Sequence, residues 1–356
     1  MKINKLLLTA LAGSLFFVSC NNDDDTADVP QGAYDNGLIV LNQGGFNAGN
    51  ASVSFISETF ELENNIFGTN NPGVTLGDTG QDIGFNGDKA YIVLNASNKI
   101  EVVNRYTFAH VATIENGLTN PRYITFVNNK AYVTNWGDGS STTDDYVAVI
   151  DLGTNAVTAT IPVAEGPERI IAENSKLYVS HYGGYGIGHS VTVINAATNA
   201  VQTTITTGDA PRSMVIENNM LYVLSEGSPS WSGPETPGKL QAINLSNNTV
   251  TSTINFAAGS HPSNLVEEDG KFYYTIDSEI FSMAVNATAL PATPIFSTVA
   301  QNVYGVYSFE VKDSHIYVGD AGDYTSNGKV FVYSLTGQKE EELTVGVIPA
   351  GLYFND

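Results

Sequence analysis

Hydrophobic and polar positions alternate along this chain in short bursts, each punctuated by Asn, Asp or Gly, and the bursts recur. The stretch Asn128-Asn129-Lys130-Ala131-Tyr132-Val133-Thr134-Asn135 reads as a two-residue turn followed by a strand. Variants of it centre on Ile39, Tyr91, Tyr178, Tyr222, Tyr273 and Tyr317, at spacings between 41 and 52 residues. A unit of that length built only of strands and turns predicts a propeller blade, and seven copies predict a closed ring.

Within a unit the pattern divides into four strands. In the third they are Pro121–Phe126, Lys130–Asn135, Tyr146–Asp151 and Ala156–Ile161, here called a to d from the ring axis outward. The fourth echoes them with Pro167–Ile171, Ser190–Asn195 and Ala200–Ile205. Both sides of such strands are partly apolar, as expected when each blade is covered by two neighbours. The first unit begins at strand b, Leu38–Asn42, and the chain ends in Pro349–Phe354, which matches strand a. The last strand is therefore expected to complete the first blade, closing the ring and removing its open edges. The fold class is all-β, a seven-bladed β-propeller over residues 33–356, with no helix longer than a turn outside the leader.

That leader occupies residues 1–19. Lys2 and Lys5 precede an apolar run, Leu6 to Val18, of export length and too short to span a bilayer. Cys20 is the only cysteine, and Phe17-Val18-Ser19-Cys20 resembles a bacterial lipobox, with Phe17 where Leu is usual. Acylation of Cys20 would leave no thiol for a disulfide. Residues 20–32 read as a flexible tether. The run Asn21 to Asp25 resembles the surface-export signal of Bacteroidota lipoproteins, which implies a lipid-anchored protein on the outer face of the outer membrane. The same run is also a solvated acidic leash.

Composition narrows the partners. A formal charge of −22 leaves no basic face for a phosphate backbone, so nucleic acid is not expected to bind. The membrane would be met through the anchor alone, and no homo-oligomer is expected.

The two faces of the ring differ. The a–b turns are tight (Asn128-Asn129, Asn218-Asn219, Asp269-Gly270), and the c–d turns repeat a formula in Asp151–Asn155 and Asn195–Asn199. The b–c loops are long and irregular: Gln43–Asn50, Trp136–Asp145, Tyr182–His189, Glu226–Gly238 and Ala321–Gly328. They carry Trp136 and Trp231, the only tryptophans, with Phe46, Tyr182, Tyr185 and Tyr324. Large aromatics on Gly-rich loops either meet a ligand or fold back over the blade tops. Trp136, Tyr182, Tyr185 and Trp231 are the candidate stacking residues. Arg122, Arg169 and Arg212 follow prolines at the starts of inner strands and should ring the channel on the same face. They are the candidate polar contacts, or else pair with Glu168, Asp209 or a channel carboxylate.

Catalytic patterns do not emerge, and the protein is not expected to be an enzyme. His181, His189 and His261 sit on separate segments without metal-ligand spacing. Asp138, Asp144, Asp145 and Asp323 occupy Gly/Ser-rich loops without a calcium-loop pattern. No catalytic residue, bound metal or covalent cofactor is expected.

The repeat Pro-x-x-Ile…Asn-x-Lys-Ala-Tyr-Val-Thr-Asn…Val-x-Val-Ile-Asp-x-x-Thr-Asn-x-Val-x-x-Thr-Ile resembles the YncE-like seven-bladed propellers over residues 33–356. With its lipoprotein start the chain is similar to the surface propellers that work beside TonB-dependent transporters. Among these, the BtuG-type proteins capture cobalamin and pass it to the outer-membrane vitamin B12 transporter. The resemblance implies cobalamin, or a related corrinoid, as transported ligand. The competing expectation is a surface propeller that binds a glycan or another protein.

Overall fold

The structure is a computed structural model that describes residues 31–356. The leader, Cys20 and all but the end of the tether lie outside the described residues. The remainder forms seven four-stranded antiparallel sheets. Their inner strands are Pro349–Phe354, Gly80–Asn86, Pro121–Val127, Pro167–Glu173, Pro211–Glu217, Ser263–Glu268 and Ser308–Lys312, for blades 1 to 7.

Turn chemistry explains the regular face. Asn128 and Asn129 both have positive φ, as do Asn218 and Asn219, and Asp269 and Gly270. Two consecutive positive φ values match the right-handed twist of a hairpin, and Asn, Asp and Gly tolerate them best. In the c–d turns, Asp151 Oδ1 accepts from the amides of Gly153 and Thr154, and Asn155 closes the turn at φ 52°. Asn195 repeats the bonds toward Ala197 and Thr198.

Hydrophobic alternation then packs blade on blade. Tyr132, Val147 and Val149 of blade 3 bury against Ile170, Leu177 and Val179 of blade 4. The Tyr132 hydroxyl crosses that boundary and donates to the Ala196 carbonyl at 2.8 Å. Tyr91, Tyr132, Tyr178, Tyr273 and Tyr317 are all buried at their repeat positions, while Tyr222 is half-buried.

Closure follows the expected route. Pro349–Phe354 pairs antiparallel with Gly37–Asn42, setting Leu352 against Val40 and Phe354 against Leu38. Polar clasps lock it: the Asn355 amide donates to the Gly37 carbonyl at 2.8 Å and the Ser308 hydroxyl to the Pro349 carbonyl at 2.7 Å.

Departures from regularity cluster where the repeat is weakest. The outer strands of blades 1 and 6 are two residues each, Leu62–Glu63 and Phe296–Ser297. The c–d connection of blade 6, residues 285–295, is long, so the turn face is not uniformly tight. A short helix, Ile66–Asn70, joins blades 1 and 2 and buries Ile66 and Phe67. Five residues are too few to show a helical period in the sequence.

Candidate ligand face and channel mouth

Each inner strand of blades 2 to 6 slips register near its start, in blade 3 between Pro121 and Ile124 and in blade 4 between Pro167 and Ile170. The leading residue of three of these strands is a proline, which lacks the N–H a regular ladder would use. A bulge re-aims the side chains it contains. The bulged residues of blades 3, 4 and 5 include Arg122, Arg169 and Arg212, and all three line one cavity of about 370 Å³ in the central channel. Deeper in the channel a second space of about 580 Å³ is lined by Ile, Val, Leu and Met side chains together with Asp82, Arg169, Asn264 and Glu310.

The three arginines are held differently. Arg122 and Arg212 occupy the same strand position, directly after a proline, whereas Glu168 fills that position in blade 4 and Arg169 stands one residue deeper. Arg122 grips Glu168 through two bonds, Nε to Oε2 at 2.9 Å and Nη2 to Oε1 at 2.7 Å. Such a fork is the strong form of an ion pair, and little water reaches it. Arg212 is half-exposed and meets Glu226 through one contact of 3.3 Å. Arg169 lies over the Tyr123 ring at 4.1 Å and makes no ion pair within 4.0 Å among the described residues. It keeps water contact although protein surrounds it, as befits a group in a narrow channel.

Carboxyls beneath these cations are perturbed. Asp82 accepts from the Tyr353 hydroxyl at 3.0 Å and from the Ile124 amide at 2.9 Å. Burial pushes its carboxyl above the usual range, against the pull of Arg169. Glu310 is pushed up to about 7, again by burial and again opposed by Arg169. The Tyr353 phenol is raised well above its ordinary value by burial and by the neighbouring Asp82. Tyr353 belongs to the ring-closing strand, so closure itself completes the channel wall.

Aromatic side chains crowd the rim. Phe46, Tyr185, Trp231, Tyr304 and Tyr324 are the exposed aromatics among the described residues, and every one lies on the b–c and d–a side. Trp231 and Tyr185 are the most open, at 86% and 85% exposure.

The other two aromatic candidates have a different place. Trp136 is half-buried under Arg122, whose guanidinium sits 4.2 Å from its ring, and its indole N–H donates to the Pro167 carbonyl at 3.1 Å. Tyr182 is half-buried under Arg212, at 5.7 Å, and its hydroxyl reaches Glu226 at 3.4 Å. Both fold back over the blade tops and cushion arginines. Tyr185 packs edge-on to Trp136 at 6.0 Å and so joins this group, whereas Trp231 stands apart on the 226–238 loop.

The polar loop residues have local work. His181 is buried between the Ala164 carbonyl and the Thr192 hydroxyl, and burial lowers its pKa to about 4. His261 Nδ1 lies 2.9 Å from the Glu226 carbonyl. Asp323 accepts from the amides of Thr325 and Ser326, and Asp138 from that of Ser140, each capping its own turn.

Asp82, Glu310, Tyr307 and Tyr353 escape a reading of the sequence in single strands. Tyr307 lines the same cavity, donates to Gln43 at 2.9 Å and packs edge-on to Tyr324 at 5.8 Å. A signal for Asp82 does exist. Counted back from the a–b turn, it falls at the position that holds Tyr123 in blade 3 and Arg169 in blade 4.

These features define a seven-bladed β-propeller whose loop face surrounds an arginine-lined channel mouth. The chain belongs to the family described as "Domain of unknown function (DUF5074)", which matches residues 36–305. No curated protein matches the sequence. Among solved structures, the chain is similar to a quinonprotein alcohol dehydrogenase-like protein from Bacteroides thetaiotaomicron, with 14% identity and a TM-score of 0.68 over 91% of this chain and 79% of that one. It is also similar to the dihydro-heme d1 dehydrogenase NirN, at 13% identity and a TM-score of 0.55 over 91% and 76% of the two chains. BamB from Moraxella catarrhalis follows at 11% identity and a TM-score of 0.51, over 86% and 81%. At such identities the likeness shows the fold alone.

Proposed function

We propose that this protein is a binding propeller that captures a wide, amide-rich ligand across its loop face, a corrinoid such as cobalamin for preference. The observation that carries this reading is the gathering of five exposed aromatics on one face, around a polar channel mouth. Exposed apolar surface is costly to a soluble domain, and its concentration on one side marks a binding surface. A corrin is broad enough to span several loops, and its amide rim suits arginine and tyrosine donors. The lipobox-like Phe17–Cys20 and the acidic run after it support the reading that the propeller is carried on a lipid anchor at Cys20, on the outer face of the outer membrane. There it would hand its ligand to a TonB-dependent transporter.

Calorimetry with cyanocobalamin tests the proposal, with haem and a glycan panel as comparators. Saturable heat with the corrinoid supports it, and no heat at micromolar protein sinks it. A glycan- or protein-binding surface propeller is the second reading, favoured by Trp231, whose ring stands open on the 226–238 loop. Heat with a glycan alone would select it.

A further inference from the structure

The chain has only four arginines, and three of them line the same channel cavity. Chance distribution in a protein of formal charge −22 gives no reason for that gathering. Ion pairing accounts for Arg122, which Glu168 grips in a fork, and for part of Arg212. It does not account for Arg169. This residue rests on Tyr123 with its side chain exposed, and among the described residues no carboxylate approaches within 4.0 Å. A guanidinium stacked on an aromatic ring is already oriented, so little side-chain freedom is lost when an acceptor arrives. Ser213 lines the same cavity and adds a neutral hydroxyl donor.

We propose that the channel mouth is an oxyanion subsite, in which Arg169 and Arg212 receive a carboxylate or phosphate group of the ligand. The inference rests on the loop face being a binding surface, but it does not require a corrinoid. An oxyanion offers parallel acceptors that match the guanidinium fork, and a narrow, protein-walled channel screens the pairing less than an open surface would. The acidic groups facing Arg169 are Asp82, Glu168 and Glu310, with the phenols of Tyr123 and Tyr353. Glu168 is engaged by Arg122, and Asp82 is bonded to Tyr353 and the Ile124 amide. Burial favours the neutral form of Glu310, which reduces its competition with an incoming anion near neutral pH.

The test is calorimetry of the purified full-length protein at pH 7 and low salt, with citrate as the carboxylate probe and inorganic phosphate as the other. Wild-type protein should take up at least one of them saturably, and which one names the chemistry. Arg169→Gln should weaken that uptake at least tenfold. Arg169→Lys should fall between, because it keeps the charge and loses the fork. Lys271→Gln, on the opposite face, should change nothing. If Arg169→Gln does not fold, Arg212→Gln carries the same expectation from a half-exposed position. No uptake of either anion by wild type, or equal uptake by wild type and Arg169→Gln, overturns the subsite. Cyanocobalamin run on the same samples separates the two ideas. Arg169-dependent anion uptake without corrinoid uptake supports the subsite and sinks the corrinoid, and corrinoid uptake without anion uptake does the reverse.

Discussion

Arg105 and Arg169 stand at opposite ends of the ring and put the same side chain to opposite uses. Arg105, on the turn face, is engaged: Nε donates to Asn355 Oδ1, Nη2 donates to the Asp356 carbonyl at 2.7 Å, and the guanidinium lies 4.4 Å from the Phe85 ring centre. Its bonds run to the C-terminal strand, so it serves ring closure. Arg169, on the loop face, keeps the aromatic support and lacks such partners among the described residues. Where the guanidinium is bonded to a neighbouring segment it holds the fold, and where it makes no such bond it is available to something else. The same contrast runs through the faces as wholes. One is a formula of left-handed Asn turns, and the other is irregular, aromatic and open.

The largest effect should come from breaking the engaged end. Deleting Ile348 to Asp356 removes the inner strand of blade 1, with it Leu352, the Arg105 clasp and the Tyr353 bond to Asp82. A buried large apolar side chain contributes roughly 1.5–3 kcal/mol, and each lost hydrogen bond about 1 kcal/mol. The truncated protein should lose at least about 5 kcal/mol of stability on this accounting. Thermal unfolding followed by circular dichroism would show it, and an unchanged transition would mean that the last strand is not the clasp.

A second comparison lies within the channel itself. Arg122→Gln strips Glu168 of its fork and leaves a buried carboxylate without its bonded partner, which should cost about 3 kcal/mol. Arg169→Gln removes no direct pair and should cost about 1 kcal/mol or less. Urea titration of both variants checks the ranking. Equal losses would show that Arg169 is as structural as Arg122, and the contrast drawn above would collapse.

Much of this was legible in the chain, and the boundary has a physical cause. The hairpin signal at Asn128-Asn129 and the apolar alternation around Tyr132 are local, so the blades, their number and the closing strand could be read directly. The gathering of Arg122, Arg169 and Arg212 was also foreseeable, because prolines mark the strand starts. Their partners were another matter. The Arg122–Glu168 fork was one of several open pairings, since a bulge is a property of two strands and decides which way a side chain turns. Asp82 meets Tyr353 across the ring closure, 271 residues apart, and no local pattern records that. Likewise, the sequence marks Trp136 and Trp231 alike as loop aromatics. Only packing separates the cushion from the platform.

Glu310 gives a smaller effect with a defined sign. Its folded pKa, about 7, lies above the ordinary 4.5, so the folded state holds a proton that the unfolded chain releases. The protein is therefore stabilised below about 4.5 and loses that contribution as pH rises toward 7, beyond which the full cost of a buried carboxylate is present. Glu310→Gln should raise stability by about 1–2 kcal/mol at pH 8, after allowance for channel water, and by almost nothing at pH 4. Melting temperatures of the two proteins across that range decide it. A variant that is less stable than wild type at pH 8 would show that Glu310 is held charged by Arg169.

The smallest effect on stability should belong to the most open residue. Trp231 is 86% exposed on the 226–238 loop, so Trp231→Ala leaves no cavity and strands no partner. Its unfolding free energy should stay within about 0.5 kcal/mol of wild type. Binding should respond quite differently, because an aromatic anchor at an interface is worth about 2 kcal/mol, roughly a thirty-fold change in affinity. Trp136→Ala should reverse the proportions, since Trp136 supports Arg122 and bonds to the Pro167 carbonyl. It should lose stability first, and affinity only through the arginine it cushions. Measuring melting and ligand binding on both variants therefore separates the two kinds of loop aromatic. A Trp231→Ala protein that melts early while binding normally would place that residue in the scaffold, and the loop face would lose its clearest platform.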